Sequence, residues 1–435
     1  MNLLLPLASC LLPLHRRSLT PIGLDFGATA VRAVQLRRVG PLSPRPCRRY
    51  SVVAAVELSL RSDRHGEHRK GSPHGLARRI QRALAQQDFR GRKMVMGLSP
   101  PDVELHPLGI PIPTDDPPVK NRWHIGKGAD STLAQAARIE VQRLAGFETE
   151  QVETDWWALP PGRGTDTTAM GVAARTDQVI ELCEMCRVMG YECQSIDVSP
   201  CATARFGFAL HPPADDQVWA VLDVGARSTR LAICIDDVPV LARAVGGGGQ
   251  EWTQRIAETL EVTPESAEVF KCDHGMQLPG RVRPHSSTSP TPPALEAQGV
   301  QSPAAATRGG SGLGELRDQT PSADSAETGT ATQVLTEVAC MIYSVLKPNL
   351  DILTREIERS YAYVLQSYPN RCAGPLLLLG AGAAMKNLDR FLSDRLGIRI
   401  TDAETFRSED RINFSIAGTE RLGSLACAIG LAIGS

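Results

Sequence analysis

Two aspartates stand in near-identical surroundings 198 positions apart. The segment Ile22-Gly-Leu-Asp25-Phe-Gly27-Ala-Thr29-Ala-Val-Arg32 returns as Val221-Leu-Asp223-Val-Gly225-Ala-Arg-Ser228-Thr229-Arg230, and residues 24–32 and 222–230 are identical at five of nine positions. These residue types suit phosphate and magnesium. A glycine without Cβ lets backbone N–H groups approach an anion, and a neighbouring hydroxyl adds a hydrogen bond. The candidate phosphate binders are therefore Gly27, Ala28 and Thr29 in the first copy and Gly225, Ala226, Ser228 and Thr229 in the second, with Arg32 adding positive charge. Asp25 and Asp223 are candidate metal ligands, able to hold Mg²⁺ through its waters while the ion bridges phosphate oxygens. One Asp-x-Gly is usually an ordinary turn; two with a shared flank indicate a duplication. No catalytic base stands out.

Each copy reads as an apolar strand entering a tight turn and leaving through a second apolar run, a β-hairpin. Two such hairpins imply two related lobes with the aspartates at strand ends. A chain of 435 residues exceeds one ordinary core and agrees with this.

With 42% hydrophobic and 22% charged residues the chain reads as a soluble globular protein, and its net charge of −1 gives no global attraction to nucleic acid or anionic lipid. Eleven cysteines without a secretory leader suit a reducing compartment. Cys183, Cys186, Cys193 and Cys201 invite a zinc reading, but Val179, Leu182, Cys183, Cys186 and Met189 share one stripe of a predicted helix, where cysteine acts as a small hydrophobe. The apolar residues 1–14 carry Pro6 and Pro13 and precede His15-Arg16-Arg17, the wrong order for a signal peptide, so 1–17 is expected to be a frayed or docked tail.

A polar basic loop at 61–71 leads to a helix opened by Ser72-Pro73 with Leu76, Ile80 and Leu84 on one face. From 93 to 197 the pattern becomes a compact α+β unit, with strands expected at 94–98, 103–109, 154–159, 168–174 and 192–196 and helices at 133–144 and 178–189. Trp156 and Trp157 fall on one strand, so their rings face opposite sides, one in a core and the other exposed or at a lobe junction. Four consecutive glycines, 246–249, cost conformational entropy and suggest a close approach to the backbone. Residues 275–330 are rich in Ser, Pro, Thr, Ala and Gly and are expected to be a disordered insertion. A long helical tract with Pro348 follows from 334 to about 365, then a buried strand at 375–379, the Gly380-Ala-Gly382 turn, a helix with Phe391 and Leu392, and a strand at 398–401. The apolar tail after Arg421 suits packing back onto the first lobe.

The motifs Gly23–Ala28 and Asp223–Ala226, followed in order by Gly246-Gly-Gly-Gly-Gln250, Glu265-Ser-Ala-Glu268-Val-Phe-Lys271, Leu379-Gly380-Ala-Gly382-Ala and Phe391-Leu-Ser-Asp-Arg-Leu-Gly397-Ile, resemble the actin-like ATPase superfamily, most closely its PilM family of type IV pilus assembly proteins. The resemblance covers residues 20–274 and 331–435. It implies an α/β, actin-like (ribonuclease H-like) two-lobed fold: a first lobe at 18–92 and 198–216, an inserted partner-binding α+β subdomain at 93–197, and a second lobe at 217–274 and 331–435. It implies ATP with Mg²⁺ as cofactors and a nucleoside lying against Gly247, Gly248, Glu265, Glu268, Lys271, Gly380, Ala381 and Gly382. It also implies a cytoplasmic scaffold, peripheral to the inner membrane through the N-terminal cytoplasmic peptide of a PilN-like partner, with self-association a further possibility. Within the superfamily, an FtsA- or MreB-like filament protein and an active ATPase or sugar-kinase-like enzyme are the alternatives. Arg227 departs from the small residue usual after Asp-Ile-Gly-Ala, and would either contact a phosphate or crowd the site.

A dinucleotide-binding reading of Gly380-x-Gly382 with Asp402 fails because Met385 stands where close helix packing needs Gly or Ala, and too few residues follow for the remaining strands. No G-x-x-x-x-G-K-[ST] segment is present, which removes a P-loop.

Overall fold

The computed structural model describes residues 19–39, 49–60, 73–110, 132–147, 151–163, 168–278, 323–406, 412–413 and 421–434. The first half of the chain lays down β1 (Ile22–Phe26), β2 (Ala30–Val39), β3 (Arg49–Ser59), α1 (Pro73–Ala85), β4 (Lys93–Leu98), β5 (Val103–Leu108), α2 (Thr132–Leu144), β6 (Val152–Ala158), β7 (Ala169–Arg175), α3 (Thr176–Val188), β8 (Glu192–Val198) and α4 (Ser199–Leu210). The second half adds β9 (Gln217–Val224), β10 (Ser228–Ile235), β11 (Val238–Gly247), α5 (Gly249–Leu260), α6 (Pro264–Asp273), α7 (Ala323–Ser367), β12 (Cys372–Leu379), α8 (Leu388–Leu396), β13 (Ile400–Asp402), β14 (Ile412–Asn413) and α9 (Leu422–Ile433).

The sequence duplication is a duplication of topology. One sheet has the order β3-β2-β1-β4-β8 and the other β11-β10-β9-β12-β13, so each half builds the same 3-2-1-4-5 arrangement; β14 extends the first sheet beyond β3. In both, the first three strands form an antiparallel meander and the fourth runs parallel to the first. This is the two-lobed actin-like architecture.

Strand alternation decides which face each residue serves. Ile22 and Leu24 of β1 join Ala77, Ile80 and Leu84 of α1 and Met185 and Cys186 of α3 in one core. Val218, Ala220, Leu222 and Val224 of β9 join Trp252, Ile256 and the apolar stripe of α7 in another. Asp25 and Asp223, at odd register, are thereby turned to the opposite, inner faces. Between those faces lie α4 and α9, in a third core shared by both halves, with Val34, Leu36 and Tyr50 from the first sheet and Trp219, Val221 and Leu377 from the second. Helix α9 is apolar on all sides, and ten of its residues, Leu422 and Gly423 and then Leu425 to Ala432, are buried. A fully buried Leu or Ile contributes about 1.5–3 kcal/mol, so this helix fastens the halves together.

The inserted unit is narrower than the 93–197 expected. β4 and β8 pair within the first sheet and α3 covers it, which leaves β5, α2, β6 and β7 as the insertion, a three-stranded sheet ordered β5-β7-β6. Trp157 is buried, and its indole N–H donates to Pro239 O of β11 at 3.0 Å, so it docks the insertion on the second half; Trp156 packs on the other face, beside the core made with α2.

The insertion expected at 275–330 begins later. Met276 is fully buried and Gln277 N–H donates to Ala339 O at 3.0 Å; residues 279–322 lie outside the described residues, and α7 starts at Ala323 and continues through Pro348. The 1–17 tail and the 61–71 loop also lie outside them. Cys186 sits in the core beside Met185 as the helix stripe suggested, whereas Cys183, expected on the same stripe, is exposed, and Cys201 belongs to a separate cluster. Among the described residues no helix is long and apolar enough to cross a membrane.

Candidate nucleotide-binding cleft

Both hairpin turns close in the same way. Gly27 N–H donates to Ala30 O at 2.9 Å, and Gly225 N–H donates to Ser228 O at 3.1 Å. Across each hairpin an arginine stands directly opposite the aspartate, Arg32 facing Asp25 and Arg230 facing Asp223. The two turns line one cleft of about 640 Å³, together with the Gly380-Ala381 turn and the start of α9.

Of the sequence-derived candidates, Asp25, Gly27, Ala28, Thr29, Arg32, Asp223, Gly225, Ala226, Gly380 and Ala381 line this cleft. Arg227 lines it too, exposed at the apex of the second turn. Arg32 is partly committed elsewhere, its Nε donating to Glu57 Oε2 at 2.7 Å.

Others lie behind the surface. Thr229 is fully buried and its hydroxyl donates to Gly247 O at 2.6 Å; the Ser228 hydroxyl faces Arg230 Nε at 3.4 Å. Gly247, Gly248, Glu265, Glu268, Lys271 and Gly382 do not line the cleft of the two aspartates. The close approach that the glycine run suggested is made by the protein itself. A methyl on Gly248 would stand 2.5 Å from Gly225 O, and Gly249 and Gln250 N–H donate to Gly225 O and Ala226 O at 2.9 and 2.8 Å. Lys271, 3% exposed, donates its ammonium to Gly249 O, Thr253 Oγ1 and Glu268 Oε2 at 2.9, 2.8 and 2.7 Å. The acid and the lysine thus brace the glycine loop, which braces the second turn. Glu265 is exposed on the surface of α6.

The electrostatics suit a cation between the turns. Burial pushes the Asp25 carboxyl above the ordinary carboxylate range, opposed by a hydrogen bond with the Cys427 thiol and by Arg32 and Arg230. Burial raises Asp223 as well, opposed by Arg230 and reinforced by the charge of Asp25. Two carboxylates whose protonated forms are favoured by burial are held in ionised form by a divalent cation. Among the described residues no group of three or more His, Cys, Asp or Glu is placed to hold a metal.

Sequence reasoning missed Thr203, Gly423, Ser424 and Cys427, which also line the cleft. They come from α4 and α9, brought to the inner faces only by tertiary packing. Arg230 was missed as well, although it is the arginine of the duplicated pattern.

A solved PilM-PilN type IV pilus biogenesis complex is similar over 95% of this chain and 98% of that one, with 22% identity and a TM-score of 0.60. The ethanolamine utilization protein EutJ from Carboxydothermus hydrogenoformans gives 12% identity over 95% and 90% of the chains with a TM-score of 0.43, and MreB5 of Spiroplasma citri bound to AMPPNP gives 12% over 95% and 94% with 0.42. No curated protein matches the sequence. Residues 23–282 match the family model described as type IV pilus assembly protein PilM, and the chain belongs to that family.

Proposed function

We propose that this protein is an ATP-binding scaffold of a type IV pilus assembly machine, held at the cytoplasmic face of the inner membrane by the N-terminal tail of a PilN-like partner. The observation that carries the nucleotide part is the meeting of Asp25 and Asp223, with their glycine turns, in one cleft. Asp25 and Asp223 would hold Mg²⁺ through its waters, and the ion would neutralise the phosphates when bound. The turn N–H groups of 27–29 and 225–227 would cradle the phosphates with Arg227 and Arg230, and the nucleoside would lie toward Gly380 and Ala381.

The inserted unit couples to the lobes. Leu105, Pro107 and Met170 form one wall of an apolar groove whose other wall is Leu241 of β11 with Tyr363 of α7 and Tyr368 just beyond its end. Its walls come from both halves, so lobe closure changes its width, and we assign the partner peptide to it. Nucleotide can bias closure only through its difference in affinity for open and closed lobes, and a tenfold difference changes peptide affinity at most tenfold. The reading is tested by equilibrium titration of a PilN-like N-terminal peptide with and without Mg-ATP. Unchanged peptide affinity rejects it.

A further inference from the structure

Arg230 belongs to two spaces at once. With Asp223 and Thr203 it lines both the main cleft and a smaller cavity of about 240 Å³ behind it, bounded by Ser199, Pro200 and Leu231. The side chain stands at the boundary of the two. Its contacts are long: Nε to Ser228 Oγ 3.4 Å, Nη1 to Ser99 Oγ 3.3 Å and Nη1 to Asp223 Oδ2 3.9 Å. A guanidinium has five N–H donors, and its charge-assisted bonds to phosphate close to about 2.7–2.9 Å. The present contacts are weak competitors for an anion in the cleft.

The contact with Ser99 differs from the other two because it crosses between halves. Ser99 follows β4 of the first sheet, whereas Arg230 lies in β10 of the second. The Ser99 hydroxyl is hydrogen-bonded to that of Ser199 at the start of α4, and Ser199 donates to Leu98 O at 3.1 Å. The line runs from the second hairpin into the first sheet and one of the two helices held between the sheets. Arg32 cannot play the same part, since its Nε is held by Glu57 within its own sheet.

We propose that Arg230 is a nucleotide-sensitive tie between the halves: paired with Ser99 it links the lobes, and a phosphate in the cleft draws it away from that serine. This rests on the nucleotide reading and deepens it by naming the side chain through which occupancy is felt in the opposite lobe. Ser99 is then a competitor of the ligand for Arg230, acting without touching the ligand.

The test is a double-mutant cycle on the full chain, with affinity for Mg-AMPPNP measured by calorimetry. Arg230→Gln lowers affinity about tenfold or more, the loss of a charged hydrogen-bond donor. Ser99→Ala raises it about threefold, by removing a competing hydrogen bond, and has no effect in the Arg230→Gln background. A Ser99→Ala effect that is equal in both backgrounds, or opposite in sign, overturns the tie. Arg230→Lys, which keeps the charge and loses the fork, replaces Arg230→Gln in the cycle if the latter does not fold. Failure of the wild-type chain to bind AMPPNP would overturn the nucleotide reading itself, and is distinct from wild-type binding that Ser99→Ala leaves unchanged.

Discussion

Gly380 lies so close to Asp223 that a methyl group on it would stand 2.5 Å from the carboxylate oxygen Oδ1. The same methyl would be 2.4 Å from Val224 O, and Gly380 holds a φ of +87°, a conformation that side chains rarely adopt. Gly380→Ala is expected to destabilise the fold by about 1–3 kcal/mol from backbone strain alone and to displace the Asp223 carboxylate. Denaturant unfolding and nucleotide titration on the same sample would check this; a variant with wild-type values for both refutes the contact.

The two buried acids set a pH signature. Both carboxyls are raised above the ordinary value of 3.8, so the folded chain holds these protons more tightly than the unfolded one. Their contribution to stability is complete below the unfolded value and is lost as pH rises through the folded ones. Asp223→Asn, which stays neutral, should melt higher than the wild type at pH 7 without divalent metal, with the gap closing as pH falls toward about 4. Mg²⁺ with nucleotide should stabilise the wild type alone. A variant less stable than wild type at pH 7 in chelator would reject this account.

Lys271→Met removes an ammonium with three acceptors and leaves Gly249 O, Thr253 and Glu268 short of a donor in a buried place. The expected cost is about 3–5 kcal/mol, the range for breaking a buried charged network from one side. Because the glycine loop carries the second turn, amide hydrogen exchange at 225–229 should rise in parallel. Faster exchange confined to α6 would show that the loop stands without the lysine.

Trp157→Phe keeps the ring but loses the N–H bond to Pro239 O. It should cost about 1–2 kcal/mol, whereas Trp157→Ala should cost about 3–5 kcal/mol by opening a cavity between the insertion and β11. Thermal melts of the pair separate the bond from the packing, and equal losses would assign the whole effect to packing.

Tyr363 is 54% exposed at the rim of the apolar groove, where truncation removes contact area without emptying a core. Tyr363→Ala should weaken binding of the partner peptide at least about fivefold while leaving the melting curve unchanged, as an aromatic anchor at a docking groove does. Full retention of peptide affinity would move the docking site elsewhere.

The hairpins were legible because a duplication repeats both residue type and spacing, and the alternation of apolar positions turned both aspartates to inner faces. Arg230 could be read by the same logic. The glycine run at 246–249 was correctly read as a close approach, but sequence cannot say whose backbone approaches, and here it is the protein's own second turn. Lys271 and Glu268 carry the composition of a ribose site, and the i, i+3 spacing also closes an internal ion pair at 2.7 Å whose lysine reaches the Gly249 carbonyl, a contact with no local sequence signal. Thr203 and Cys427 gave no local signal, since each reaches the cleft through a helix unrelated to the hairpins, and Ser99 is tied to the site only through Arg230. The insertion's limits were misplaced because β4 and β8 look alike as isolated strands, and only their pairing shows which sheet owns them.

The first sheet is finished by chain that follows the strands of the second. β14 pairs with the outer edge of β3, and α9 lies so tightly on β1 that a methyl on Gly23 would meet the Ala428 carbonyl at 2.0 Å. During synthesis the amino-terminal half must therefore wait, its inner face wet, until α9 clears the ribosome. A fragment that stopped at the second sheet would offer that face to chaperones, and separately produced halves would reassemble only if the closing helix were supplied as well.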